Sequence, residues 1–226
     1  LDRLGVATLN DSRLLRWNSD KRYLFELARL DVAIIPSRLA HASELAPVLA
    51  SMPGATVVVK PTISGGAWQT LRGEVGDSAF AGAVAQLPAA MEYLVQPYLP
   101  GIASAGEWSL LYFGGEYSHA VIKRPAAGDY RVQDEHGGRS EAATPDAATR
   151  AAAEHALAAV AAAGHDVPAY ARVDGVVSDG RFLLMELELI EPSLFLAAQP
   201  HAAERFARLL ANHPALRRAA LFSPGD

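Results

Sequence analysis

At 226 residues, half of them hydrophobic, the chain can bury a substantial core as one large domain or two small ones. Lys plus Arg number 20 against 25 Asp plus Glu, a net charge of −5, which is no footprint for non-specific nucleic-acid binding. Cysteine is absent, so disulfides, thiolate metal sites and a cysteine nucleophile are excluded. No apolar run approaches the ~20 residues of a membrane span and no signal sequence opens the chain. A reducing, cytoplasmic setting is expected.

Residues 1–10 read as the tail of something upstream. Asn10-Asp11-Ser12 can cap a short helix through Trp17. Asn18-Ser19-Asp20 can cap a second from Lys21 to Leu30, where Tyr23, Leu24, Leu27, Ala28 and Leu30 recur at helical spacing. Lys21 falls in the first turn, where the helix dipole disfavours a cation. It is either exposed and indifferent, or held near an anion that the helix start also attracts. Residues 32–36 predict a short strand and 42–52 a helix. The β-branched run 55–61 ends in Lys60-Pro61 and leads into Thr62-Ile63-Ser64-Gly65-Gly66-Ala67-Trp68-Gln69-Thr70. Paired glycines let backbone amides approach an anion, although the same run also suits a plain hairpin loop.

An alanine-rich helix is expected over 77–87 and a strand over 92–97, stopped by Pro97 before a turn through Gly101. Residues 107–113 and 117–123 read as strands around Gly114-Gly115-Glu116. A long polar loop, 124–138, holds Arg131, His136 and Gly137-Gly138; loops of that length are usually functional or disordered. A helix over 147–163, a hairpin over 170–192 and an amphipathic helix over 202–211 complete the pattern. Strands and helices mix without regular β-α-β alternation, so the expected class is α+β with antiparallel sheets.

The hairpin carries the chemistry. Glu186 and Glu188 alternate with Leu187 and Leu189, so both carboxylates leave one face, with Cα atoms roughly 6.5–7 Å apart. Burying them unpaired costs several kcal/mol each, and a divalent cation resolves the repulsion; a solvated edge strand is the plainer alternative. Register decides whether Asp174 joins them. A two-residue turn at Asp179-Gly180 sets Ser178 against Arg181 and Asp174 against Met185, on the wrong face. A three-residue loop with Gly180 left-handed sets Val177 against Arg181, Asp174 against Leu184 and Arg172 against Glu186. The odd-length loop is the expectation adopted, since it gathers a metal-and-phosphate arrangement.

In order and spacing, Asn18-x-x-Lys21, Val-Val-Lys60-Pro61 with its glycine loop, Val95-Gln96-Pro97-Tyr98, Gly106-Glu107, Lys123, Arg131, Gly137-Gly138, Arg172-x-Asp174 and Glu186-x-Glu188 resemble the ATP-grasp superfamily. Its glutathione-synthetase-like branch is the nearest, including bacterial proteins similar to the cyclo-ligase of cycloserine biosynthesis. The resemblance spans 18–206 and implies two α+β subdomains gripping a nucleotide. Residues 1–35 would be linker and helix, 36–92 the lid subdomain and 93–226 the catalytic subdomain. It implies Lys21 and Lys60 on the α- and β-phosphates of ATP, with Ser64, Gly65 and Gly66 in the closing lid. Gln96, Pro97 and Tyr98 would form the adenine hinge, and Glu107 would meet the ribose. Asp174, Glu186 and Glu188 would hold one or two Mg²⁺ ions, with Mn²⁺ admissible. Lys123, Arg131 and Arg172 would be catalytic cations facing the γ-phosphate and the acceptor carboxylate. Two departures stand out: Glu188 takes a place often held by Asn, and Trp108-Ser109 follows Glu107 where the pattern has a basic residue.

The implied activity is an ATP-dependent carboxylate–amine ligase acting through an acylphosphate, with ADP and phosphate released. The alternative is a nucleotide-binding module without ligase activity. Expected partners are a small-molecule carboxylate and an amine, with no nucleic acid and no membrane; a homodimer is admitted. The family's usual N-terminal domain is expected to precede Lys21 in a longer protein.

Overall fold

The computed structural model describes residues 4, 6–52, 55–126, 132 and 137–216. The β-branched run Thr56–Pro61 (β2) pairs antiparallel with Glu92–Pro97 (β4), setting Val59 opposite Val95. Arg38–His41 (β1) adds to the far side of β4 and Leu71–Glu74 (β3) to that of β2, giving a four-stranded sheet ordered β1-β4-β2-β3. Helices Leu45–Ala50 (α3) and Ser78–Ala85 (α4) cover one face. There Leu45, Leu49, Phe80 and Val84 close on Val57, Val59, Tyr93 and Val95. Asp77 caps α4 by accepting from the Phe80 N–H at 2.7 Å. β4, which begins at the expected boundary between 92 and 93, belongs to this sheet.

The second sheet is five-stranded, ordered β7-β6-β5-β8-β9. Its strands are Glu107–Phe113 (β5), Glu116–Arg124 (β6), Arg139–Ala143 (β7), Tyr170–Ser178 (β8) and Arg181–Glu188 (β9), all pairs antiparallel. Helix Ala147–Ala162 (α6), capped by Asp146, lays Ala153, Ala156 and Val160 against Leu110, Ala120, Val173 and Leu187. Small alanines let the helix approach the sheet closely, and Ser12–Asn18 (α1) and Tyr23–Ala28 (α2) extend the same core through Leu14, Leu24 and Leu27. Two sheets with helices make the α+β class anticipated from composition and order. Gly101–Ala105 (α5) follows β4 where a turn was expected, and Ala202–Asn212 (α7) packs near the end of the larger sheet.

The strand expected over 32–36 reduces to one parallel bridge, Ile34 with Leu184. The Ile35 N–H donates to Leu184 O at 3.1 Å and the Leu184 N–H to Ala33 O at 2.8 Å, enough to cover part of the β9 edge. Asn18 covers more of it. Its amide donates to Leu187 O at 2.9 Å and accepts from the Leu189 N–H at 3.0 Å, so a side chain stands in for a neighbouring strand. No helix among the described residues is long and apolar enough to cross a membrane.

Candidate functional site

One face of the larger sheet lies on α6; the other carries the polar residues. Strand pairing orders them in rows across the sheet. Lys123 faces Glu107 in the first; Ser109, Asp174 and Glu186 form the second; His119, Leu111, Arg172 and Glu188 form the third. This face and the smaller sheet enclose a cavity of about 600 Å³, lined by Lys21, Lys60, Ser64–Ala67, Gln96–Leu99, Glu107, Lys123, Arg172, Asp174, Glu186 and Glu188 among others.

The odd-length hairpin loop is not what forms. Ser178 pairs with Arg181 around Asp179 and Gly180, at φ 50° and 72°, a two-residue turn with both centres left-handed. Continued evenly, that register would turn Asp174 away from the glutamates. A β-bulge intervenes: Gly175 faces Leu184, whereas Asp174 faces Glu186, so Met185 is the extra residue. Arg172 therefore lies opposite Glu188, not Glu186, and all four charged side chains still share a face. Gly175 accommodates the bulge because a Cβ there would sit 2.3 Å from the Phe182 ring and 2.6 Å from Leu183 O.

Within the rows, charge is closely paired. Asp174 is buried, accepts from Ser109 Oγ, Lys123 Nζ (3.2 Å) and Arg172 Nη2 (2.8 Å), and so has its lone pairs committed. Burial acts against its charge, but Arg172 and Lys123 overcome this and hold the carboxyl at about 2. Burial likewise opposes charge on Lys123, and Asp174 and Glu107 outweigh it, raising the ammonium. Glu107 is pushed up by burial despite Lys123 beside it. Glu188 is the exception to good pairing. Burial and its neighbour Glu186 raise it to about 7, although Arg172 stands 3.1 Å away.

Across the cavity, Lys60 is 9 % exposed, and among the described residues its ammonium makes no hydrogen bond or ion pair. Burial lowers its pKa. Burial outweighs the attraction of Glu186 and Glu107, and an anion from solution would relieve that cost. Lys21 enters from the turn before α2. Its N–H bonds Thr62 O at 2.8 Å, and its ammonium donates to Ser64 O at 2.7 Å and meets Glu186 at 3.2 Å. In the adjoining loop Gly66, Ala67 and Gln69 all hold positive φ, between 51° and 58°. The two non-glycine residues each cost of order 1–3 kcal/mol there.

The expected residues Lys21, Lys60, Ser64, Gly65, Gly66, Gln96, Pro97, Tyr98, Glu107, Lys123, Arg172, Asp174, Glu186 and Glu188 thus all line one cavity. Arg131 and His136 lie outside the described residues. Asp174, Glu186 and Glu188 share one face as expected; in the ligand-free arrangement Asp174 is paired with Lys123 and Arg172, and among the described residues no three acidic or histidine side chains are drawn together as a ready cation site. Glu186 and Glu188 remain, and their mutual repulsion fits a cation. A magnesium ion held with a nucleotide needs only one or two carboxylates, phosphates supplying the rest. Tyr98 donates its N–H to Thr56 O at 2.9 Å and Pro97 has none; Leu99, which sequence reasoning passed over, also lines the cavity. Met185 and Phe195 were also missed; strand alternation hid the first, and an irregular segment the second.

No family model matches the chain. The cycloserine biosynthesis protein DcsG of Streptomyces lavendulae is 37% identical, over 88% of this chain and 70% of its own. The crystal structure of D-cycloserine synthetase DcsG is similar with a TM-score of 0.81 and 34% identity, covering 93% of this chain and 75% of that one. The D-alanine–D-alanine ligase of Bacillus anthracis complexed with ATP shares the fold, with a TM-score of 0.68 at 20% identity over 98% of this chain and 74% of the ligase.

Proposed function

This chain belongs to the ATP-grasp superfamily of ATP-dependent ligases, and from that premise we propose that it joins a small carboxylate to an amine or related nucleophile through an acylphosphate. What carries the proposal is Lys60, a buried cation with no hydrogen bond or ion pair among the described residues, set across one cavity from the Glu186–Glu188 pair.

Residues 36–97 would act as the lid unit and the larger sheet as the catalytic unit. Lys60 and Lys21 would neutralise the α- and β-phosphates, and amides of the loop from Ser64 to Thr70 would close over them. The hinge of Gln96, Pro97 and Tyr98, with Leu99 beside it, would receive the base, and Glu107 the ribose. Glu186 and Glu188 would hold Mg²⁺, which when bound offsets phosphate charge. Asp174 would keep Arg172 and Lys123 oriented as cations, and Arg131 is assigned with them to the acceptor end. These cations draw the acceptor carboxylate toward the γ-phosphorus despite its charge, so that a carboxylate oxygen forms the new P–O bond as the bond to the β-phosphate oxygen breaks and ADP leaves. The nucleophile then attacks the acyl carbon, losing its proton and displacing phosphate. Similarity to a D-cycloserine synthetase supports small-molecule substrates.

The test supplies Mg·ATP with a panel of amino-acid carboxylates and amines and follows ADP. Release dependent on a particular carboxylate supports the ligase. ATP binding with no ADP from any pair would leave a nucleotide-binding module, and absence of ATP binding would remove both.

A further inference from the structure

His119 is 2 % exposed and takes no part in the chemistry just described. It stands in the same cross-sheet row as Arg172, with Leu111 between them, on the cavity face of the sheet. Its Nε2 lies 2.9 Å from Leu194 O and its Nδ1 lies 2.9 Å from Ser118 Oγ. A carbonyl oxygen can only accept, so Nε2 carries the proton and Nδ1 accepts from the serine hydroxyl. Burial lowers the imidazole's pKa, consistent with this neutral form, and Arg205, which donates to Ser118 O at 2.6 Å, acts in the same direction.

The neighbouring carbonyl of the same segment is reached from the same row, since Arg172 Nη1 lies 3.4 Å from Ser193 O. Two side chains one row across thus hold consecutive carbonyls. The residue that follows, Phe195, is left-handed at φ 46° and ψ 38°, costly for an aromatic residue and sustained only where surroundings impose it. Its ring lines the cavity, with the Arg172 guanidinium 5.9 Å from the ring centroid. Along the cavity the rows run from Glu107 through Asp174 to Arg172, so this segment walls the end at Arg172.

We propose that His119 is a positioning residue, which through Leu194 O fixes the segment Ser193–Phe195 as the wall against which the non-nucleotide substrate is seated. The substrate named rests on the ligase proposal; the positioning does not. The imidazole's place among Phe113 and, beyond it, Phe206 offers a plainer role as packing, and two variants separate the roles. His119→Phe keeps ring volume and removes the hydrogen bond; His119→Gln loses the ring and keeps an N–H donor.

The experiment measures amide hydrogen exchange over 194–199 in the full chain, with titration of a non-hydrolysable ATP analogue and Mg²⁺. Expected are at least tenfold faster exchange in His119→Phe, near-native exchange in His119→Gln, and analogue affinity within twofold in both. With the carboxylate selected by ADP release, His119→Phe should raise its KM at least fivefold and leave the KM for ATP unchanged. Native-like protection in His119→Phe, or equal loosening in both variants, overturns the proposal. If either variant unfolds, Ser118→Ala, which removes the partner of Nδ1, must loosen the same amides or the proposal falls. Exchange needs no turnover, so failure of the ligase reading and failure of this inference are told apart.

Discussion

The Lys21 ammonium lies 3.2 Å from Glu186 while donating to Ser64 O at 2.7 Å, so one cation ties the loop after β2 to the strand that carries the proposed metal ligands. Glu186 stands in the middle row, opposite Asp174. Replacing it with Gln removes a charge and keeps the shape. Turnover in the ADP-release assay should fall by on the order of 100-fold, about 2.7 kcal/mol of transition-state stabilisation, with an unchanged far-ultraviolet dichroism spectrum. Full activity would remove Glu186 from the metal site.

Lys60 gives a prediction with two opposite signs. A charge-assisted hydrogen bond contributes about 1.5–3 kcal/mol, so Lys60→Ala should weaken ATP binding roughly 10- to 100-fold by calorimetric titration. Its ammonium is desolvated and makes no ion pair among the described residues, so Lys60→Met should leave the ligand-free protein as stable or raise its melting temperature. Equal ATP affinity in wild type and Lys60→Ala would refute the phosphate contact.

Much of this site could be read from residue order, because its charged side chains sit on strands whose alternation dictates their faces. Strands β4 and β5 fall where their β-branched and aromatic runs place them, and Asp11, Asp77 and Asp146 cap helices as their side chains predict. Elements set by partners were not legible. β7, Arg-Ser-Glu-Ala-Ala, has no strand-forming composition and is extended because β6 offers it an edge. The pairing of Asp174 fell between: the right face was reached through the wrong turn, since a bulge compensates for the two-residue loop. Gly175, directly after Asp174 within a strand, was the available signal.

That glycine can be tested directly. A Cβ at Gly175 meets backbone, Leu183 O at 2.6 Å, as well as the Phe182 ring, so no side-chain movement alone relieves it. Gly175→Ala should destabilise by about 1–3 kcal/mol through overpacking and shift Asp174 against Glu186, reducing ATP turnover beyond what the lower stability explains. Gly180→Ala, with open space around its Cβ but φ 72°, should cost stability through backbone strain and spare turnover. Equal effects of the two on turnover would show that the bulge does not position the carboxylates.

Glu188 and Asp174 predict how stability follows pH in the ligand-free protein, with Glu107, also raised by burial, acting in the same sense as Glu188. Glu188 has a folded pKa of about 7, above its ordinary 4.5, from burial and Glu186. Its neutral form is favoured by folding, so stability is lost as pH rises from 4.5 through 7. Asp174, at about 2 against an ordinary 3.8, acts in the opposite sense: its contribution is present above 3.8 and lost as pH falls through 2. Between them the melting temperature should peak near pH 4–5 and decline by several degrees toward pH 8, a few degrees per kcal/mol for a chain of this size. Glu188 keeps about a third of its side chain exposed, so solvent screening reduces the effect. Added Mg²⁺ with an ATP analogue should flatten the neutral limb, because a bound cation stabilises the ionised carboxylate. Glu188→Gln should flatten it without ligand. A melting temperature that rises from pH 5 to 8 in the ligand-free protein, and does so equally in Glu188→Gln, would show that this carboxylate is not strained and has no need of a cation.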